Sequence, residues 1–233
     1  MTVTERLERR RLFSVTVTED SPGFFEVNGD GGDNAINVSI SQNNGTFTLD
    51  NTTYSEVSYL YVNGNGGNDT ISVTSSDGPG NIGASIVTLD GNDNITLGVS
   101  GGVWAGGGDD TVNVSDSYWG DINGEAGNDK IYISGDTIDA QISGGSGNDL
   151  IDASNNNAPV TIHGDAGNDS IYGSAFDDEL YADSGNDSVC GNAGDDIVYA
   201  RLSNGDTIDG GDGTDVLYAS GSEVSVNYVE YVI

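Results

Sequence analysis

Positive charge is nearly missing from this 233-residue chain, which sets six Lys plus Arg against 38 Asp plus Glu. Four of the six bases (Arg6, Arg9, Arg10 and Arg11) lie in the first eleven residues with Glu5 and Glu8; beyond them only Lys130 and Arg201 face 36 acids. No basic patch is available to neutralise phosphates, which argues against nucleic acid as a partner, and anionic membrane surfaces are equally disfavoured. Cysteine is limited to Cys190, so no disulfide can form within the chain and the compartment stays open. No apolar run approaches the ~20 residues of a membrane span. The basic N-terminal cluster has no apolar stretch behind it, unlike an ordinary secretory signal. His163 is the only histidine, and no zinc ligand set or catalytic triad can be built around it. The glycine-rich turns are dense in acid, and none contains the Gly-Lys step of a phosphate-cradling loop.

A compact metal-free body with this charge repels itself, so either the chain is disordered or cations neutralise it. Disorder would follow from low hydrophobicity and high charge. Against it stand 36 glycines and a 35% hydrophobic content whose Ile, Val, Leu and Tyr recur on a beat. Gly64-Asn65-Gly66-Gly67-Asn68-Asp69 leads into Thr-Ile, and Gly106-Gly107-Gly108-Asp109-Asp110 into Thr-Val. Equivalent turns end at Asp129, Asp149 and Asp169, in steps of 19, 20 and 20 residues from Asp110. After Asp169 the beat halves, and Asp178, Asp187 and Asp196 follow at steps of nine. Ile171, Leu180, Val189 and Val198 each stand two residues after their Asp; Asp206 and Asp215 continue with Ile208 and Leu217.

This pattern resembles the RTX, or hemolysin-type, nonapeptide repeat G-G-x-G-x-D-x-U-x, where U is a large apolar residue. The resemblance covers roughly residues 29–219 and is strongest from 105 to 219. It implies an all-β fold, a right-handed parallel β-roll or β-helix solenoid with two parallel sheets and Ca2+ in the turns. It also implies a secreted or cell-surface bacterial protein.

The residues support the same picture physically. Six turn residues and three strand residues make a half-coil, and two half-coils make a coil of about eighteen. The central strand residue points inward and its neighbours outward. Early turn positions need Gly because the backbone visits positive φ. Calcium takes six to eight oxygens; one turn supplies backbone carbonyls and one carboxylate, and the equivalent turn of the next coil, ~4.8 Å away, supplies the rest. The expected metal residues are Asp93, Asp110, Asp129, Asp149, Asp169 and Asp187 in a row along one edge, Asp178, Asp196 and Asp215 along the other, and Asp69, 24 residues before Asp93. Their turns contribute Gly106, Gly108, Gly124, Gly127, Gly144, Gly147, Gly164, Gly167, Gly191, Gly194, Gly211 and Gly213. Pairs of neighbouring turns suggest on the order of seven or eight ions. Asp206 sits in Arg201-Leu-Ser-Asn-Gly-Asp, which lacks most glycines, and is expected not to complete a site. Asn34 puts a neutral amide where the acid should be, so the turn from Gly29 is expected to be structural.

Between 100 and 165 only one edge carries good turns, which predicts calcium on one side only. Residues 1–12 read as a basic tail, 13–63 as an N-terminal β capping region, 64–219 as the calcium-binding roll and 220–233 as a C-terminal capping strand. Tyr181, Tyr199 and Tyr218 step by 18 and 19 residues and are expected to stack outward on one sheet, with Tyr132 and Tyr172 on the other. The functional expectation is a non-enzymatic, exported calcium-binding module that folds on Ca2+, with a structural or adhesive role and a surface or matrix polysaccharide as candidate partner. The alternative is a carbohydrate-active, lyase- or epimerase-like β-helix accessory module. That chemistry needs Lys, Arg or His clustered beside acids, and Lys130 and Arg201 are the only Lys or Arg in the repeats.

Overall fold

Alternation at a period of two within each short strand, repeated every coil, dictates two flat faces with one apolar row between them. The computed structural model describes residues 15–78, 80–117, 119–137, 140–200, 205–220, 225–227, 229 and 231–232. The basic tail at 1–12 lies outside the described residues. The fold is all-β, with two sheets of twelve strands each among the described residues. Each coil gives one strand to each sheet. The first sheet runs from Thr16–Ser21, Phe24–Asn28 and Tyr59–Asn65 to Val216–Ala219 and Tyr231–Val232. The second runs from Ser225–Asn227 and Thr207–Asp209 back to Thr70–Ser75 and Ala35–Ser41. Neighbouring coils pair in parallel throughout, and the C-terminal residues add the last strand to each sheet.

Two columns in strict register run the length of the core. Ile36, Ile71, Ile95, Val112, Ile131, Ile151, Ile171, Val189 and Ile208 stack on the second sheet. Val27, Val62, Ile86, Val103, Ile122, Ile142, Ile162, Leu180, Val198 and Leu217 stack on the first. Every member of both columns is buried. The apolar residue two positions after each Asp is thus the inward one, as the spacing requires.

The N-terminal end departs from the nine-residue beat. Asn34 to Asp69 spans 35 residues because a hairpin, Thr46–Leu49 and Thr52–Ser55, is inserted and pairs antiparallel onto Ala35–Ser41. Thr16–Ser21 folds antiparallel onto Phe24–Asn28. Hairpins therefore cover both sheet edges at this end, where an open parallel edge would template aggregation. Phe47 stacks on Tyr54 at 4.5 Å between ring centroids, and Phe25 meets Phe47 edge-on at 5.3 Å.

Turn glycines are fixed by close approach as well as by φ. The fourth turn residues Gly91, Gly108, Gly127, Gly147, Gly167 and Gly185 all have positive φ. A Cβ on any of them would fall on the carbonyl oxygen of the equivalent glycine one coil earlier. The turns can stack at sheet spacing only because that atom is missing.

This gives a paired test. Gly167→Ala meets both the φ of 148° and the Gly147 carbonyl, so it should destabilise the calcium-loaded roll by about 3 kcal/mol or more in chemical unfolding. Gly31→Ala, with nothing within 4 Å of the added carbon, should stay within about 0.5 kcal/mol of the parent. Equal effects would mean that stacking of the turns does not depend on the glycines.

Candidate metal centre

Each turn ends as its strand begins, so the sixth-position Asp has its backbone at the sheet edge and its side chain turned under the loop. Its N–H cannot reach a ladder partner. It donates instead to the carboxylate one coil further on. Asp69 N–H donates to Asp93 Oδ1 at 2.6 Å, Asp93 to Asp110 at 2.7 Å and Asp110 to Asp129 at 2.8 Å. Asp129 donates to Asp149 at 2.7 Å, Asp149 to Asp169 at 2.8 Å, Asp169 to Asp187 and Asp187 to Asp206 at 2.9 Å. On the opposite edge Val160 N–H donates to Asp178 Oδ1 at 2.9 Å, Asp178 to Asp196 at 2.8 Å and Asp196 to Asp215 at 3.0 Å. The structure thus stacks these Asp residues in two rows, and every Asp in them is at most 3% exposed.

An outer column runs beside the first row. Asn92 N–H donates to Asn68 Oδ1, Asp109 to Asn92, Asn128 to Asp109, Asn148 to Asn128, Asn168 to Asn148 and Asn186 to Asn168, at 2.8–3.0 Å. These fifth-position groups are exposed and satisfied. The buried row is not. Oδ1 of each Asp accepts a backbone bond, but Oδ2 of Asp69, Asp110, Asp129, Asp149, Asp169, Asp187, Asp196 and Asp206 is buried without a hydrogen-bond partner. An unsatisfied buried carboxylate oxygen is costly. Here the cost recurs at every coil.

The surroundings of these oxygens are those of a cation site. Beside Gly124, the place its Cβ would occupy lies 2.5 Å from both Asp129 Oδ2 and the Gly144 carbonyl of the next coil. Beside Gly144 it lies 2.5 Å from Asp149 Oδ2 and 2.9 Å from the Gly164 carbonyl. Carboxylate and carbonyl oxygens converge with no donor among them. Among the described residues no group of three or more His, Cys, Asp or Glu side chains is placed to hold one ion; each coil supplies one carboxylate and the remaining oxygens are backbone. Hard oxygen donors of this kind, most of them neutral, fit calcium.

Nine of the buried carboxyls are correspondingly hard to ionise. Burial, opposed by the backbone hydrogen bond and reinforced by neighbouring carboxylates, raises Asp110 to about 8, and Asp129, Asp169 and Asp196 to about 7. Asp69 and Asp187 rise to about 6 through burial first, and Asp93, Asp149 and Asp178 also move up for that reason.

Three features of the two rows go beyond what the repeat spacing describes. Asp206 joins the first row as a full member despite its glycine-poor turn, whose residues 201–204 lie outside the described ones. Ladder membership needs only the Asp at the right step, a signal present in its 19-residue offset from Asp187. Asp178 is in its row, but its Oδ2 accepts from Ser174 N–H at 2.5 Å and its Oδ1 from the Ser174 hydroxyl at 2.8 Å, so protein donors already serve it. Upstream on that edge the ladder continues with neutral groups: Thr137 N–H donates to Asn156 Oδ1 at 3.1 Å, and Ser117 N–H to Thr137 Oγ1 at 3.4 Å. Sequence spacing alone does not reveal these substitutes.

Outside the turns, Tyr181, Tyr199 and Tyr218 stack on one sheet with centroids 4.5 and 5.1 Å apart. His163 heads the column, 4.2 Å from Tyr181, with Nδ1 3.3 Å from Asp183 Oδ2. The rings lie within 11° of parallel, so their inner faces are covered by one another. Tyr132 and Tyr172 share a register row on the other sheet with Asp152 between them. Cys190 is half-buried, and burial pushes its thiol up.

The fold and these turns define an acidic parallel β-solenoid with carboxylates stacked along its edges. The family model of the RTX calcium-binding nonapeptide repeat matches the chain in four copies, over residues 61–75, 134–157, 162–198 and 203–222. Over these segments the chain carries RTX calcium-binding nonapeptide repeats, which support a calcium-binding repeat protein. Comparison with curated proteins gave no match.

The raised carboxyls set a pH dependence. Asp69, Asp110, Asp129, Asp169, Asp187 and Asp196 are raised to between about 6 and about 8 in the fold against about 4 in an unfolded chain. Protonation therefore favours the folded state. That contribution is complete below about pH 4 and is lost as pH rises through 6 to 8. In chelator, thermal melts followed by circular dichroism should show Tm rising as pH falls from 8 to 5. A flat or falling Tm in that window would mean that the buried carboxylates carry no such cost.

Proposed function

We propose that calcium is held between successive turns by Asp69, Asp93, Asp110, Asp129, Asp149, Asp169, Asp187 and Asp206 along one edge and by Asp196 and Asp215 along the other. Carbonyls of turn residues such as Gly124, Gly144 and Gly164 would complete each shell. Asp178 belongs to the second row as a lesser contributor, because Ser174 occupies its oxygens. The observation that carries this reading is the column of buried Oδ2 atoms with no donor beside them. A divalent cation at each step supplies the missing positive partner and cancels repulsion between carboxylates of neighbouring coils.

The same column makes folding depend on the ion. With the cation the stacked turns are the favourable arrangement; without it, each coil buries charge. Binding energy thus becomes folding energy. Sites built mostly from neutral carbonyls are weak, in the range about 0.1–1 mM that suits extracellular calcium. This supports an exported protein that stays open where calcium is scarce and closes into a rigid roll outside. Its role is structural or adhesive rather than catalytic, with attachment to a surface or matrix polysaccharide as the finer form of that role. Among the described residues, Lys130 stands alone as a Lys or Arg of the repeats, and His163 is engaged by Tyr181 and Asp183.

The test is far-UV circular dichroism during a calcium titration from a chelated start, with magnesium as control. Calcium alone should bring up the β signal, with a midpoint at about sub-millimolar to millimolar levels. Asp149→Ala removes a carboxylate from the middle of the row and should raise that midpoint about tenfold or more, equivalent to ~1.4 kcal/mol. A chain already fully β in chelator and indifferent to calcium would reduce the turns to scaffolding.

A further inference from the structure

The first turn of the column solves the charge problem without an ion. Asn34 holds the sixth position of Gly29-Asp30-Gly31-Gly32-Asp33-Asn34 and is buried at 3% exposure. Its backbone behaves like every other ladder member, donating to Asp69 Oδ1 at 2.7 Å. Its side chain differs. Asn34 Nδ2 lies 2.5 Å from the Gly32 carbonyl, 3.1 Å from those of Asp30 and Gly64, and 3.0 Å from Asp69 Oδ1. These are carbonyls two and four of its own turn, carbonyl one of the next turn, and the carboxylate of the next turn. Asn34 Oδ1 in turn accepts from Asp30 N–H at 3.2 Å. In the later Asp turns of this edge, the equivalent side-chain branch includes a buried oxygen with no donor.

We infer that the Asn34 amide nitrogen stands in for a cation, so that turns 29–34 and 64–69 lock together without metal and mark a built-in, calcium-independent end of the column. The inference rests on the calcium reading of the later turns. One amide NH2 offers two hydrogens to four oxygens, which is the demand a small positive centre meets. Asparagine and aspartate have the same shape, so this one exchange turns a demand for a cation into a supply of donors. The location adds sense to it. This coil carries both antiparallel hairpins and the Phe25, Phe47 and Tyr54 cluster, apolar packing that needs no ion. The coil can therefore stand folded as the template onto which calcium adds the following coils.

The test reverses the exchange in both directions on the full chain. Bound calcium per chain is measured after equilibrium dialysis, and β content in chelator by circular dichroism. Asn34→Asp should bind about one ion more than the parent and lose β signal in chelator. Asp129→Asn should bind fewer ions yet show more β signal in chelator than the parent, a gain that an ordinary loss of a structural side chain would not give. If Asn34→Asp fails to fold in calcium, Asp129→Asn alone decides. A folded Asn34→Asp with unchanged stoichiometry, or an Asp129→Asn with less β signal in chelator, overturns the inference and leaves the calcium reading standing. A parent that binds no calcium overturns both.

Discussion

Everything in this fold depends on one backbone hydrogen bond, the N–H of each turn's sixth residue donated to the side-chain oxygen of the next turn's sixth residue. Parallel coils place equivalent atoms above one another at sheet spacing, and a turn N–H at the edge has no strand to pair with. A short side chain with an acceptor, repeated at the same position, satisfies it at 2.6–3.0 Å from coil to coil. Aspartate does this with one oxygen and leaves the other buried. The choice that satisfies the backbone therefore stacks negative charge, and the charge imbalance of the whole chain is this local solution repeated. The proposed role of cations thus traces back to backbone hydrogen bonding in a parallel solenoid.

Two columns, one apolar and one carboxylate, were visible in the sequence because both obey the same period. Ile171, Leu180, Val189 and Val198 follow their Asp by two residues, and the structure buries all four. What the sequence hid has a common cause: the ladder tests a side chain for an acceptor at the right height, and glycine count is a poor proxy for that. Asp206 satisfies the test in a turn with few glycines. Ser117, Thr137 and Asn156 satisfy it with neutral groups. The inserted hairpin at Thr46–Ser55 breaks the period without breaking the stack. His163 at the head of the tyrosine column was invisible because its register is set by pairing, not by local pattern.

The ladder positions fall into four kinds, three of which leave no carboxylate oxygen in want of a partner. Asn34 carries its own donor, the Ser117, Thr137 and Asn156 edge is neutral, and Asp178 is served by Ser174. All of these lie at or before residue 178. Along the first edge the orphan oxygens begin at Asp69; along the second they appear only at Asp196. One carboxylate is therefore buried per coil in the middle of the roll, and two per coil near its C-terminal end.

Charge repulsion in the metal-free chain must then grow along the axis. Neutralising two facing carboxylate rows in the last coils takes more cations than neutralising one row over a neutral edge. On the proposed calcium reading, the N-terminal coils, with hairpins, aromatic packing and the Asn34 amide, depend least on the ion, and the last coils depend on it most. A parallel solenoid gains each coil by pairing it to the one before, so order propagates from whichever end is stable alone. On the calcium reading proposed above, that end is the one where hydrogen-bond donors stand in for ions, and assembly would proceed from the aromatic N-terminal coils toward Asp215.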